Sequence, residues 1–202
     1  MDFEITPYRP TDQADLDEVC IRTGDSGQDA DGKYAHPELL HLFYLDPYLV
    51  HEPELTLVLR GVPDGRACGY VTGTADTASF EEWLGRVWLP PLAARYPVGS
   101  TPEPFWGEGI VRQIHSPTRS DPRLLADYPA HLHIDLLPVA QGGGWGRCIM
   151  QEFLDGLRAR GVRGVHLGVG VRNPHAIGFY EHLGFATLRT HEWGRTMGMR
   201  LT

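Results

Sequence analysis

The sequence predicts a domain of the α/β (α+β) class, with helices packed on a central β-sheet. Residues 131–139 carry the apolar pattern of a buried strand, and a glycine-rich turn at 141–147 follows them. Apolar residues then recur at helical spacing over 149–157. Earlier in the chain, two apolar segments flank a Pro-Asp-Gly turn at 63–65, which is typical of a β-hairpin. A strand followed by a helix, together with a hairpin, indicates a sheet covered by helices.

Length and composition limit the possible functions. The chain has 202 residues, of which 42% are hydrophobic, enough for one domain with its own core. A net charge of -8 argues against nucleic acid or an anionic membrane as the main partner, and it permits a cationic substrate. No apolar run is long enough to span a membrane, and the first residues lack the pattern of a signal peptide. The three cysteines are irregularly spaced, so we expect reduced thiols in a cytoplasmic protein.

The first third of the chain predicts a strand, two helices and the hairpin. The strand lies at 3–5, and Thr11 is a plausible cap for the first helix. Pro37 can open the second helix, because proline is tolerated in a first helical turn. The hairpin strands are expected at 55–59 and 68–74.

A long segment, 76–129, then separates the hairpin from the central strand. Phe80, Trp83 and Leu84 recur at helical spacing, and Pro90 and Pro91 interrupt that pattern. A structureless loop of this length is uncommon, so we expect a packed, helical insertion.

The last third predicts three further strands and one helix. After the central strand, the next strand lies at 164–170, and Asn173 can cap the helix that follows. Gly184 suits the C-terminal end of that helix. Two strands at 185–188 and 196–201 complete the sheet.

The glycine-rich turn is a candidate phosphate site. Glycines let the backbone approach a ligand closely, and the first N–H groups of a helix are free to bind an anion. The turn lacks the Lys-Ser/Thr pair of a Walker A loop and the glycine spacing of a Rossmann loop. Instead Gln141, Gly144 and Gly146 match the Gln/Arg-x-x-Gly-x-Gly/Ala pyrophosphate signature of the GCN5-related N-acetyltransferase (GNAT) superfamily, which the chain resembles.

A second motif strengthens this resemblance. Residues 173–185 resemble the superfamily pattern Asn-x-x-Ala-x-x-Phe-Tyr-x-x-x-Gly-Phe. The resemblance implies a GNAT fold: a mixed, mostly antiparallel twisted sheet flanked by helices, with the insertion between the third and fourth strands. It further implies one acetyltransferase domain over 1–202, with an insertion at 76–129 and an acetyl-CoA-binding core at 131–185.

A closer likeness is to the C-terminal acetyltransferase-like domain of the eukaryotic O-GlcNAc hydrolases. It is carried by residues 68–76, Phe80, Trp88, Tyr96 and the entry to the central strand at 128–135. The animal domain lacks the glycine loop, whereas this chain keeps it. We therefore expect a free-standing bacterial-type relative that binds acetyl-CoA.

The resemblance assigns roles to particular residues. Tyr180 matches the family tyrosine that protonates the leaving thiolate of CoA, and a phenol keeps its proton near pH 7. The expected acetyl-CoA contacts are Leu136, Leu137, Val139, Gln141, Gly142, Gly143, Gly144, Trp145, Gly146, Arg147, Asn173, Ala176, Phe179 and Tyr180. An amine acceptor, either a small molecule or a protein lysine, would then attack the thioester directly in a ternary complex.

The base that deprotonates the amine is sought on the central strand. Strand alternation places His131, His133 and Asp135 on one face. Asp135 or His133 is the candidate base, since either could remove the amine proton. Burying the Asp135 carboxylate among leucines is costly unless it has a hydrogen-bond partner or a catalytic role. The two histidines can equally be structural.

Two other functions stay open at this point. His131, His133 and Asp135 are residue types that ligate metals, although no metal is expected here. An acetyl-CoA-binding pseudo-acetyltransferase module without turnover is the main alternative to an enzyme. The sequence leaves both the acceptor and the oligomeric state undefined.

Overall fold

A computed structural model describes residues 2–201 and contains a seven-stranded sheet with helices on both faces. The strands are β1 Asp2–Pro7, β2 Leu57–Val62, β3 Ala67–Thr74, β4 Ala130–Leu136, β5 Gly164–Gly170, β6 Ala186–His191 and β7 Gly194–Arg200. The helices are α1 Gln13–Thr23, α2 Glu38–Tyr44, α3 Asp46–His51, α4 Thr77–Trp83, α5 Leu89–Arg95, α6 Glu108–His115, α7 Pro122–Asp127, α8 Trp145–Ala159 and α9 Pro174–Leu183.

The sheet is mixed and mostly antiparallel, which confirms the predicted fold class. Its strand order is β1-β2-β3-β4-β5-β7-β6. β4 and β5 are parallel neighbours, but they pair only through Ala130 with Val165 and His131 with His166. Beyond these pairs the two strands separate, so the C-terminal part of β4 has a partner on one side only.

Each face of the sheet has its own hydrophobic core. On one face α8 packs through Ile149, Met150 and Phe153 against strand residues such as Leu132. The opposite core joins α1, α2 and the segment between β3 and β4, and Tyr70 is fully buried in it. The alternation of β4 follows from this arrangement, since every second residue must point into a different core.

The insertion between β3 and β4 is helical, as its apolar spacing predicts. Its ends meet where the backbone N–H of Thr77 donates to the carbonyl of Pro129 at 2.8 Å. Pro90 and Pro91 do not break the chain into a loop; they lie in the first turn of α5, where proline is tolerated. A π-helical turn at Leu84–Trp88 connects α4 to α5.

Several predicted boundaries are wrong by a few residues. Asp12, not Thr11, precedes α1, because residues Pro10–Asp12 form a short 3-10 turn of their own. β2 begins at Leu57 instead of residue 55, which lies in the 3-10 turn Pro53–Leu55. β4 ends at Leu136 instead of residue 139, since Pro138 starts another 3-10 turn.

Two further features bear on the composition. Cys20, Cys68 and Cys148 are free thiols, and the first two are buried. Within residues 2–201, no helix combines the length and the apolar character that crossing a membrane requires.

Candidate active site

The glycine loop after β4 presents a row of free backbone N–H groups. Gly142 and Gly144 have φ values of +78° and +83°, which a residue with a Cβ rarely adopts. Gly144 caps α8, and the N–H of Cys148 makes the first helical bond, to the Gly144 carbonyl at 3.1 Å. Among the described residues, the N–H groups of 142–147 therefore have no protein acceptor. They lie at the positive end of a 15-residue helix, which suits an anion.

Gln141 ties this loop to the central strand. Its side-chain amide donates to the carbonyl of Leu136 at 2.8 Å. Leu136 is the last residue of β4, in the part that β5 does not pair. The bond keeps the beginning of the glycine loop against the unpaired edge of β4.

A cavity of about 460 Å³ opens between the glycine loop, β4 and α9. Its wall combines backbone N–H groups at one end with apolar and titratable side chains at the other. The lining residues are Thr23, Ser26, Gly27, Gln28, Ile134, Asp135, Leu136, Gln141, Gly142, Gly144, Gly146, Arg147, Asn173, His175, Ala176, Phe179, Tyr180, His182 and Leu183. The N–H groups at one end suit an anion such as phosphate, and the strand and helix at the other end offer apolar surface.

Most of the residues expected to contact acetyl-CoA line this cavity. Four do not: Leu137, Val139, Gly143 and Trp145. Trp145 instead packs edge-on against Phe3, with ring centroids 5.7 Å apart, and joins the core beneath α8. The Leu137 side chain packs into the opposite core, and Val139 is exposed.

Asn173 and Tyr180 hold the α9 side of the cavity. The Asn173 side chain caps α9 by accepting the N–H of Ala176 at 3.0 Å. Tyr180, two turns along the same helix, is 7% exposed, yet it lines the cavity. Burial, with a smaller contribution from the charge of Asp135, raises the pKa of Tyr180. The phenol therefore keeps its proton at neutral pH and can donate it into the cavity.

Asp135 lies on the cavity wall as a half-buried carboxylate. The hydroxyl of Tyr70 donates to its Oδ2 at 2.7 Å, directly across the β3–β4 pair. Burial raises the pKa of Asp135, and the hydrogen bond from Tyr70 acts in the opposite direction by stabilising the charged form. A carboxylate with a raised pKa and a fixed orientation is suited to accept a proton.

His131 and His133 share the face of Asp135 but do not line this cavity. The hydroxyl of Tyr48 lies 2.7 Å from Nε2 of His131 and 3.1 Å from Nε2 of His133. Burial lowers the pKa of both imidazoles, to about 4 in the case of His133. Both rings are therefore neutral at pH 7.

The donor atoms of His131, His133 and Asp135, the candidate metal ligands of the central strand, are not among those that converge on one ion position. Within residues 2–201, the group whose donor atoms converge closely enough for an ion is Asp17, His41 and Asp46, on α1 to α3. There the side-chain amide of Gln13 already donates to both carboxylates, at 2.7 and 2.8 Å.

Sequence reasoning missed Tyr70 and the part of the wall that precedes the insertion. Thr23, Ser26, Gly27 and Gln28 come from the end of α1 and the loop after it. Alternation along β3 marks Tyr70 as facing one side, but only the register, with Tyr70 opposite Asp135, brings the two together. No local motif identifies the loop residues.

Comparison with known proteins places this geometry in context. The family model described as "Acetyltransferase (GNAT) family" matches residues 120–185. The crystal structure of a protein named SsHAT is 39% identical, with a TM-score of 0.89 and coverage of 100% of both chains. The N-acetyltransferase PaiA of Thermoplasma acidophilum, solved in complex with coenzyme A, has a TM-score of 0.57 at 15% identity, covering 99% of each chain.

A curated relative matches nearly the whole chain at lower identity. Protein O-GlcNAcase of Rattus norvegicus is 26% identical over 185 residues, which are 90% of this chain and 20% of that protein. The chain therefore corresponds to about a fifth of the length of this relative.

Proposed function

The chain belongs to the acetyltransferase (GNAT) family, and we propose that it is an acetyl-CoA-dependent N-acetyltransferase acting on an amine. The observation that carries this proposal is one cavity that joins the free N–H groups of the glycine loop to Asp135 and Tyr180. An anion site, a base and an acid in one cavity are what acetyl transfer to an amine requires.

The residues of the glycine loop and β4 would hold acetyl-CoA. We assign the pyrophosphate to the N–H groups of 142–147 and the pantetheine arm to the wall formed by Ile134 and Leu136. Asn173, Ala176 and Phe179 would complete the site from α9. For Leu137, Val139, Gly143 and Trp145 we retain only a backbone contribution, because their side chains do not line the cavity.

Proton transfer is assigned to Asp135 and Tyr180. An alkylammonium has a pKa of about 10.4 and must lose a proton before it can attack. Asp135 takes that proton, and attack by the neutral amine forms the amide bond while the thioester C–S bond breaks. Tyr180 then donates its phenolic proton to the departing sulfur and is reprotonated from water. One further proton leaves the amide nitrogen, so each turnover of an ammonium ion releases one proton overall.

The acceptor is proposed to be cationic in its free form. The net charge of -8 and the carboxylate of Asp135 both favour a cation, whether a small amine or a protein lysine. The similarity to O-GlcNAcase supports one alternative: a module that binds acetyl-CoA without turnover.

Calorimetric titration of acetyl-CoA tests the cofactor site. We expect micromolar binding to the wild type and none to Gly144→Glu, because the new carboxylate would repel phosphate and strain a backbone at φ +83°. Gly161→Glu is the matched control: Gly161 has a φ of +71°, lies just beyond the other end of α8, and a Cβ at either glycine would meet no heavy atom within 4 Å. Equal binding by all three proteins would contradict the proposed site.

A thiol-release assay with a panel of primary amines then separates enzyme from module. Turnover by the wild type supports the enzyme. Tight acetyl-CoA binding with no thiol release above the uncatalysed rate, for any amine, would support the non-catalytic alternative.

A further inference from the structure

A buried hydrogen-bond chain runs from the insertion to His133. Thr77 Oγ1 lies 2.6 Å from the carbonyl oxygen of Pro129 and 2.8 Å from Nδ1 of His131. On the other side of that ring, Nε2 of His131 lies 2.7 Å from the hydroxyl of Tyr48, which lies 3.1 Å from Nε2 of His133. Thr77 is 1% exposed and Tyr48 is 4% exposed, so water does not compete for these bonds.

The positions of the protons along this chain follow from its fixed end. A proline carbonyl can only accept, and two oxygens 2.6 Å apart need a hydrogen between them, so Thr77 donates to Pro129. Thr77 must then accept from His131, whose Nδ1 carries its proton. The opposite nitrogen of a neutral imidazole is an acceptor, and Tyr48 donates to it. Tyr48 has no second proton, so His133 donates through Nε2–H.

This assignment leaves Nδ1 of His133 as a lone-pair acceptor. No protein donor within residues 2–201 reaches this atom by the hydrogen bonds observed. The His133 side chain is only partly buried, and Nδ1 is not among the buried side-chain polar atoms without a partner in that range, which are the hydroxyls of Ser100 and Thr101. With a pKa of about 4, lowered by burial, the ring stays neutral at physiological pH.

The position of His133 on β4 places this hydrogen-bond acceptor, Nδ1, close to Asp135. β4 loses its pairing with β5 after His131, so His133 and Asp135 both lie on the separated part of the strand. They occupy alternate positions on the same face, about 7 Å apart along the backbone. The face is opposite to that of Ile134 and Leu136, along which the pantetheine arm is assigned.

We propose that His133 binds the acceptor amine through Nδ1, in a tautomer that Tyr48, His131 and Thr77 fix. The inference rests on the proposed function and adds a second acceptor-binding residue beside Asp135. Tyr48, His131 and Thr77 act as positioning residues, since they reach the acceptor only through the ring of His133. The insertion thereby contributes to the acceptor site through its two ends, Thr77 and Pro129.

Nitrogen-15 NMR of the histidine side chains tests the tautomer without any acceptor. We expect the wild type to show His131 as the Nδ1–H form and His133 as the Nε2–H form at pH 7. Tyr48→Phe removes only the hydroxyl and keeps the stacking of the aromatic ring at position 48 on the ring of Phe80, with centroids 4.4 Å apart. The His133 ring should then populate both tautomers. An Nδ1–H form of His133 in the wild type would overturn the proposal.

Kinetics with the best primary amine of the panel test whether the hydrogen-bond chain from Thr77 to His133 affects binding of the amine. Tyr48→Phe should raise KM for the amine about tenfold, while kcat changes by less than about threefold and KM for acetyl-CoA is unchanged. His133→Gln, which can keep the bond to Tyr48 but lacks Nδ1, should raise KM for the amine similarly. The matched control is Tyr44→Phe: ring 44 contacts His133 edge-on, with centroids 5.8 Å apart, and its hydroxyl makes no bond to that ring.

The outcomes separate the two proposals. Wild-type kinetics in both Tyr48→Phe and His133→Gln would overturn the role of His133 and leave the acetyltransferase proposal intact. Absence of turnover by the wild type on every amine overturns the proposed function and the substrate role together, whereas the NMR experiment still reports whether the tautomer is fixed.

Discussion

The two sides of the cavity bind by different means. On the α8 side the ligand-facing groups are backbone N–H groups of the glycine loop, which need a conformation more than particular side chains. On the other side they are side chains from separate elements: Asp135 from β4 and Thr23 from α1 line the cavity, and Tyr70 from β3 orients Asp135 from behind. A site made of backbone is local in sequence, and a site made of converging side chains is not. The first can therefore be recognised from a short motif and the second only from contacts.

The difference also separates the tasks of the two sides. The glycine loop offers an anion site with no group that titrates near neutral pH. The other side carries the carboxylate of Asp135, and the phenol of Tyr70 on β3 and the imidazole of His133 on β4 lie behind the wall; burial has shifted the pKa of all three groups. We therefore expect substitutions on the β4 face to change chemistry and acceptor use while leaving acetyl-CoA binding nearly intact.

The largest effect is expected for Asp135→Asn. The amide can still accept the Tyr70 hydroxyl but cannot take a proton from the amine, so kcat/KM for the amine should fall about a thousandfold. The Kd for acetyl-CoA, measured by calorimetry, should change less than about threefold. A large loss of acetyl-CoA affinity would mean that the two sides are not separable.

The next effect concerns stability rather than the site. Asp12→Ala leaves the guanidinium of Arg60, which is 7% exposed, without its buried partner, and should lower the free energy of unfolding by about 3 kcal/mol. Glu18→Ala is the control, because its ion pair with Arg66 is largely exposed and should contribute little to the free energy of unfolding. Urea denaturation measures both. Acetyl-CoA affinity of the folded Asp12→Ala protein should match the wild type.

Tyr180→Phe should lower kcat about a hundredfold, because water must replace the phenol as the proton donor to the leaving sulfur. The ring and its contact with Phe185, 5.6 Å between centroids, are kept. Stopped-flow measurement of thiol release gives the rate, and calorimetry should give an unchanged Kd for acetyl-CoA. An unchanged kcat would remove Tyr180 from the mechanism and leave it as a wall residue.

The smallest effect is a shift of the pH profile in Tyr70→Phe. Asp135 must be deprotonated to act, so activity rises with pH through its pKa, which lies above the ordinary value. Loss of the Tyr70 hydrogen bond, which lowers that pKa, should raise the pKa of Asp135 further. The acidic limb of kcat/KM should therefore move to higher pH. A shift towards lower pH, or none, would contradict Asp135 as the base.

Particular residues show how far the sequence predicts the site. The spacing of Gln141, Gly144 and Gly146 and the Asn173 cap are local features, and each lies on the cavity as the motifs indicate. Trp145 lies within the same motif, yet its side chain packs on Phe3, because helix phase decides which residues of the first turn face the ligand. The motif thus indicates the segment and not the orientation of every side chain.

The side of the cavity that carries Asp135 is predicted less well from the sequence than the glycine loop is. Alternation along β4 predicts that His133 and Asp135 share a face. It does not predict that Tyr70 is the partner of Asp135, or that Tyr48 and Thr77 determine the protonation of His133. These partners lie 65, 85 and 54 residues away in the chain from the groups they contact. The last separation is that between Thr77 and His131, and Thr77 acts on His133 through the ring of His131 and the hydroxyl of Tyr48.

The sequence by itself determined the fold class, the glycine loop and the family, because apolar periodicity, glycine spacing and a helix cap are properties of neighbouring residues. Only the tertiary structure decided which titratable groups reach the cavity, in which protonation state, and with which partners. Those properties depend on strand register, on where β4 separates from β5, and on how an insertion folds back onto the strand. Such long-range contacts bury the groups and orient their hydrogen bonds, and burial and hydrogen bonding are what set their pKa values.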